Sequence, residues 1–448
     1  MRKTPKLAKK KTENLLRLVP FLWSGDGLAY SLLFPIEPLE AGSRVTRDFI
    51  EGLERGRGEE ARKALLLPWI HTDFKGHGST QGEPGKEFFL AARTMETLPD
   101  SSVEIPPLPE DRKIKVYSEY EFINRNLTHP RFEIVEGMGD ADVLWLTSHF
   151  KDFEALSKEM PGRRINQFPC ENVITIKDFL AVVCRRQGKK GGPAWLPTTF
   201  NLETELLEFV SCFQNREKEE EDNHWIIKAW NLSRGLDMQV SSSLSHILRL
   251  PASGPKIAQK YLHSPVLFNR PSIGKVKFDV RYIILLKSVE PLEVYAYNRF
   301  WLRFANIPFS LEQLDVYEKH FTVMNYNDAD LQQMFCHDFI KLFEEQNPGH
   351  LWKDVESSIF SMFRGVFEGA TALPPPCGIG ACPQAGAMYA TDLMLDWTED
   401  GKRIQPKVLE FNWLPDCERA CDYYPEFFNN VFSTLFLGET EGQNVTRL

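Results

Sequence analysis

Glu410 and Asn412 sit two apart near the C-terminal end, in the apolar run PKVLEFNWLP. Lys407 to Phe411 has strand character and Pro415 ends it. Side chains two apart on a strand share a face, so this pair points one way while Leu409 and Phe411 point the other. Such a pair among residues suited to burial needs hydrogen bonds, water or a cation. Surface exposure fits the fragment equally well. Upstream, TDLMLDW carries Asp392 and Asp396 four apart before the turn WTEDGK. That is a hairpin-like arrangement, and it brings Asp392 opposite the Glu410–Asn412 face. Two carboxylates and an amide oxygen are the hard ligands Mg²⁺ prefers.

The cations stand earlier in the chain. Lys228 lies in WIIKAW, where an ammonium among Trp and Ile is costly unless it is paired or reaches water. The loop that follows offers Ser233, Arg234 and Gly235, small and basic residues of the kind that hold phosphates. In KVKFDVRYII, the residues Lys277, Asp279 and Arg281 alternate with Val276, Phe278, Val280 and Tyr282. One strand face therefore carries an ionic row, compatible with a solvated sheet or with the floor of an active site. Arg303, in FWLRFAN, calls for a carboxylate or phosphate partner. Gathered around one point, these cations would neutralise phosphates while the acids hold a metal, as in a nucleotide–metal site.

The elements that must position them read as a mixture of helix and strand. With 448 residues the chain is too long for one simple core. Its net charge of −9 argues against a dedicated nucleic-acid binder. The exception is MRKTPKLAKKKT, six Lys or Arg and no acid, which reads as a disordered tail or as a contact for an acidic partner. No run of eighteen apolar residues occurs, so no membrane span is expected. Cys170, Cys184, Cys212 and Cys336 read as reduced core thiols. Cys377 with Cys382, and Cys417 with Cys421, are spaced more loosely than zinc knuckles and lack a ligating His, which argues against a four-thiolate zinc site.

Strand and turn patterns fill the first fifty residues, and a Gly/Pro-rich stretch runs from His71 to Asp111. From KIKVYS through FEIVEG and ADVLWL, strands alternate with helical patterns, which predicts an α/β domain. Strand-rich runs follow from KIAQKYLHSPVLF to LEVYAYNRFWLRFA, predicting an antiparallel or mixed sheet. Val355 to Phe367 has helical spacing.

The ordered set WIIK, QKYLHSPVLF, KFDVRY, LR, HFT, DLM and LEFNWLP resembles the tubulin–tyrosine ligase family over about Lys113 to Leu437. The resemblance implies an ATP-grasp fold that joins amino acids to a protein carboxylate through an acyl phosphate. The opening LAYSLLFPIEPLEAGSRVTRDF and the tail PDCERACDYYPEFFNNVFSTLF resemble a branch that places a SET-like domain before the ligase-like part. The chain is expected to hold only the last portion of that domain. On this likeness the expected organisation is a basic tail (1–12), a partial SET-like segment with linker (13–111), a small α/β domain (112–195), and central (196–270) and C-terminal (271–440) ATP-grasp domains.

Carried over residue by residue, the resemblance gives Lys228, Arg234 and Gly235 to the phosphates, with Lys277 and Arg281 as a phosphate- and substrate-facing pair. Gln259, Lys260, Tyr261 and Leu262 become the hinge over adenine, with the backbone of Tyr261 and Leu262 meeting the base. Thr322 is placed near the ribose, Arg281 and Arg303 at developing oxyanions, and Asp392, Glu410 and Asn412 on Mg²⁺. Three departures stand out. The closing loop, LSRGLD, has Leu232 and Asp237 where glycines are expected; Val323 and Met324 follow the threonine in place of Asn; and Trp413 replaces the glycine after E-x-N.

The expectation is therefore an ATP- and Mg²⁺-binding protein that engages tubulin or microtubules, with weak or absent ligase activity. Its alternatives are a non-catalytic regulator competing with true ligases, an active ligase on tubulin tails, and a SET-type methyltransferase. The SET-like segment and basic tail are further candidates for protein contacts. The expected location is the cytoplasm, including the cytoskeleton, or the nucleus.

Overall fold

The computed structural model describes residues 16–23, 25, 28–42, 48–50, 58–91, 95–188, 191–230, 237–322 and 334–448. It divides into two units, 1–73 and 74–448. In the first, β1 (Leu16–Trp23) and β2 (Leu28–Pro35) form an antiparallel hairpin from Leu16↔Pro35 to Trp23↔Leu28. The helix Gly58–Leu65 follows, burying Ala61, Ala64 and Leu65.

The second unit begins with a small parallel sheet in the order β4-β3-β5-β6. Its strands are β3 (Ile114–Ser118), β4 (Phe132–Ile134), β5 (Val143–Trp145) and β6 (Arg164–Ile165). All three residues of β5 are buried, as the centre of a parallel sheet requires. The next sheet is antiparallel, ordered β7-β10-β8-β9, from β7 (Thr199–Asn201), β8 (Trp225–Ala229), β9 (Gln239–Ser241) and β10 (Lys256–Lys260). A two-stranded ribbon, β11 (Phe268–Arg270) with β12 (Gly274–Val276), leads into the largest sheet. That sheet is ordered β16-β15-β13-β14-β17. Its strands are β13 (Phe278–Ser288), β14 (Glu293–Phe304), β15 (Ala387–Trp397), β16 (Ile404–Trp413) and β17 (Val445–Arg447).

The position of β13 explains its sequence. It is the central strand, covered on one face by the helices Cys336–Gln346 and Trp352–Thr371. Tyr282 meets Phe363 there, and its hydroxyl donates to Glu356 at 2.8 Å. The opposite face is divided. Ile283 and Leu285 pack with Phe427 and Val431 at one end, while Asp279 and Arg281 continue the same face toward a cavity. The ionic row in KFDVRY is thus neither an edge nor a wet surface but the half of a buried face that the apolar helix Phe427–Phe432 leaves open.

The eight cysteines are free thiols. Among the described residues, no group of three or more His, Cys, Asp or Glu is placed to hold a metal, and no helix is long and apolar enough to cross a membrane.

Candidate functional site

A cavity of about 910 Å³ is lined from both the β7–β10 sheet and the five-stranded sheet. Lys228, Gln259, Lys260, Tyr261, Leu262, Lys277, Arg281, Arg303, Thr322, Asp392, Glu410 and Asn412 all line it. Of the candidate residues read from the sequence, Ser233, Arg234 and Gly235 are not placed; they lie outside the described residues, as do Leu232, Val323 and Met324.

Four adjacent strands build the floor. Asp279 on β13 faces Arg303 on β14, Arg281 faces Asp392 on β15, and Asp392 faces Glu410 on β16. The side chains follow that register. Arg281 donates from Nε and Nη2 to the two oxygens of Asp392 at 2.7 and 2.8 Å, a fork-on-fork pair. Arg303 reaches Asp279 through Nε at 2.8 Å and Asp392 through Nη2 at 2.7 Å. Thr322 donates to Asp279 as well. Burial alone would raise the Asp392 carboxyl, but the two guanidiniums reverse this and hold it well below the usual carboxylate range.

Glu410 and Asn412 share a face, and the Asn412 amide donates to Glu410 at 3.2 Å. Leu409 departs from the simple alternation. The pairing jumps from Asp392↔Glu410 to Leu393↔Val408, a bulge that leaves Leu409 without a cross-strand partner. Phe411 is in the core as its position implies, whereas Leu409 lines the cavity instead of the opposite face. The bulge is what sets Glu410 directly across from Asp392.

Ammonium groups come from both sides, Lys228 from β8 of the facing sheet and Lys277 from the position just before β13. Lys228 donates to Gln259 Oε1 at 2.8 Å, and Gln259 is anchored in turn on Thr199 at 3.0 Å. Lys277 donates to the Tyr261 hydroxyl at 2.9 Å and lies 4.1 Å from the centre of its ring. Burial pushes Lys228 down to about 8 and Lys277 down to about 7. Lys260 is engaged elsewhere, by Asp222 and the His224 carbonyl. The Tyr261 N–H also donates to that carbonyl, at 3.0 Å. The sheet thus engages the Tyr261 N–H, one of the backbone groups of the Tyr261–Leu262 hinge, and Tyr261 also brings its ring and hydroxyl to the cavity. Ile226, Met238 and Phe321 add an apolar slot beside it.

Asp237 stands where a glycine is expected and adopts a glycine-like backbone, φ 54°. Its carboxylate pairs with Lys256, so its charge is compensated. Trp413 lines the cavity with its ring edge-on to His149 at 5.4 Å.

Sequence reasoning missed Lys177 and the contacts made by Asp279 and His320. Lys177, in ITIKDFL, opens the helix Lys177–Arg185 and places Nζ 3.4 Å from Glu410. A lone lysine among apolar residues, the feature that singled out Lys228, was the available signal. Asp279 was visible in the ionic row, but its place between Arg303 and Thr322 depends on strand order. His320 is buried against Tyr261, and nothing in its local sequence marks that contact.

Comparison with known proteins agrees with this geometry. The family model "Tubulin-tyrosine ligase family" matches residues 155–447, and "Tubulin tyrosine ligase SET-like domain" matches residues 8–73. Human "Tubulin--tyrosine ligase-like protein 12" is 50% identical over 437 residues, covering 96% of this chain and 67% of the relative. The protein of that name from Caenorhabditis elegans is 39% identical over 446 residues, covering 97% and 67%. More distantly, a "Probable tubulin polyglutamylase TTLL2" of Mus musculus is 29% identical over 321 residues, covering 66% and 55%. The chain thus spans about two thirds of the length of the human and Caenorhabditis elegans relatives.

Proposed function

The chain belongs to the tubulin–tyrosine ligase family, and from that premise we propose that its cavity binds ATP with Mg²⁺, that it engages tubulin, and that ligation in it is weak or absent. The observation that carries this reading is the opposition of two buried lysines to a cross-strand set of acids and an amide within one cavity. Lys228 and Lys277 meet the phosphates, and the slot of Ile226, Met238 and Phe321 takes the base.

Asp392, Glu410 and Asn412 offer the oxygen donors a Mg²⁺ ion prefers, on neighbouring strands. Both oxygens of Asp392 already accept from Arg281 and Arg303. Glu410 and the Asn412 amide oxygen are therefore the first residues that would hold the ion, with Asp392 shared between it and the guanidiniums; the ion would draw negative charge from the phosphates. Arg281 and Arg303 keep about a fifth of their side-chain surface open, 22% and 21%. They are the donors for charge developing on a carboxylate under attack.

The restraint on turnover comes from Trp413. Its indole occupies cavity wall where the resemblance expects a glycine, narrowing the room for an incoming amine or acceptor tail. The same feature favours the second reading, a regulator that competes with active ligases for tubulin. Incorporation of labelled tyrosine, glycine or glutamate into tubulin separates the two: steady incorporation that Lys228→Ala abolishes overturns the proposal of a poor ligase.

The lysines give the site a pH signature. Burial holds both below the ordinary lysine value, so their protons leave as pH rises through about 7 and about 8. Phosphates favour the charged forms. Nucleotide affinity is therefore expected to be highest below pH ~7 and to fall as pH rises toward ~9. Near pH 8, binding draws protons from the buffer, and titrations in buffers of different ionisation enthalpy check this through a buffer-dependent heat.

A further inference from the structure

We propose that His320 is a positioning residue for the Lys277 ammonium, acting through the hydroxyl of Tyr261. This rests on the reading of Lys277 as a phosphate contact, but the hydrogen-bond geometry stands without it. His320 Nε2 lies 3.1 Å from the Gln313 carbonyl oxygen, which can only accept. The proton of the neutral imidazole is therefore on Nε2, and Nδ1 is an acceptor. The Tyr261 hydroxyl, 2.8 Å from Nδ1, must donate to it. That leaves the phenol oxygen's lone pairs for Lys277 Nζ at 2.9 Å. A single backbone carbonyl thus fixes the direction of every proton up to the cavity.

The imidazole cannot readily turn out of this arrangement. It is 2% exposed, edge-on to Tyr261 at 5.8 Å and to Phe309 at 6.1 Å. Burial lowers its proton affinity; the Gln313 carbonyl acts the other way, but Lys277, Lys319 and His224 add to the lowering, so the net shift favours the neutral form the relay needs. Around Lys277 the other charges are Asp396, Lys228 and Asp279. None of these belongs to the relay, so its contribution is separable by mutation. Without His320 the phenol proton loses its anchor, and the oxygen is no longer held toward the lysine.

The test uses the full chain labelled with ¹³C-lysine, without nucleotide, and reads the titration midpoint of the Lys277 signal, assigned by its loss in Lys277→Arg. ADP affinity is measured alongside. His320→Ala and Tyr261→Phe are each expected to lower that midpoint by about half to one pH unit and to weaken ADP about tenfold. The double variant is expected to be no worse than Tyr261→Phe alone. His320→Gln, whose amide carries both a donor and an acceptor, is expected to stay within about threefold of the parent. An unchanged midpoint in His320→Ala, or single effects that multiply, overturns the relay. A midpoint that responds to His320→Ala in a protein that binds no ADP removes the nucleotide reading and leaves the relay standing.

Discussion

Arg303→Leu is expected to destabilise the protein by about 3–5 kcal/mol, among the largest effects of any single substitution in the chain. The reason lies in what it leaves behind. Asp279 and Asp392 are 1% and 2% exposed, and Arg303 bridges them. Without the guanidinium, Asp279 keeps only its bond from Thr322 among the side-chain contacts described above, and it is left beside Asp392, whose remaining cation, Arg281, bonds Asp392 and not Asp279. Adding Asp279→Asn is expected to restore part of the loss, because the burden is the uncompensated charge and not the missing volume.

The sign with pH follows. Asp392 titrates below its unfolded value, so its contribution is present above pH ~4 and is lost as pH falls toward the folded value. In the variant Asp279 has lost its ion pair and Asp392 keeps only Arg281, so both titrate higher than in the parent and acid relieves them. The gap between parent and variant is therefore widest near neutrality and narrows below pH ~4, as chemical denaturation at a series of pH values will read.

Lys277→Met is the counterpart, with its large effect on binding and not on stability. Its ammonium is 2% exposed, and burial works against the charge. Removing it leaves Tyr261 bonded to His320 and takes away a costly desolvated cation. The melting temperature is expected to hold or rise. Nucleotide affinity is expected to fall about 100-fold, the scale of one or two charge-assisted contacts to phosphate. A variant that melted far below the parent would show that the lysine serves the fold, not the ligand.

These expectations depend on features that the sequence displays unequally. Alternation made the Lys277, Asp279 and Arg281 row visible, and the spacing of Glu410 and Asn412 gave their shared face. Both are local properties of a strand. Whether the row faced water required knowing that β13 is central and that its apolar half lies under the Phe427–Phe432 helix, which no local pattern encodes. The bulge at Leu409 is likewise a property of pairing with β15. Asp237 is an instructive intermediate. The missing glycine was legible, but the retained left-handed backbone and the Lys256 partner were not. For Tyr261 the resemblance spoke of its backbone, and nothing in the sequence showed that its N–H bonds His224 or that its hydroxyl meets both His320 and Lys277. The family itself was legible because its motifs are ordered and specific, and the matched span of 155–447 holds every placed candidate residue.

The central claim is that Glu410 and its neighbours work with a divalent ion opposite the buried lysines. Isothermal titration of ATP into the parent chain and into Glu410→Gln, each with and without Mg²⁺, tests it most directly. Saturable binding by the parent that Mg²⁺ strengthens, and a variant about tenfold weaker with little response to Mg²⁺, is the predicted result. No binding by the parent, or a variant that keeps the parent's affinity and its Mg²⁺ dependence, would contradict it.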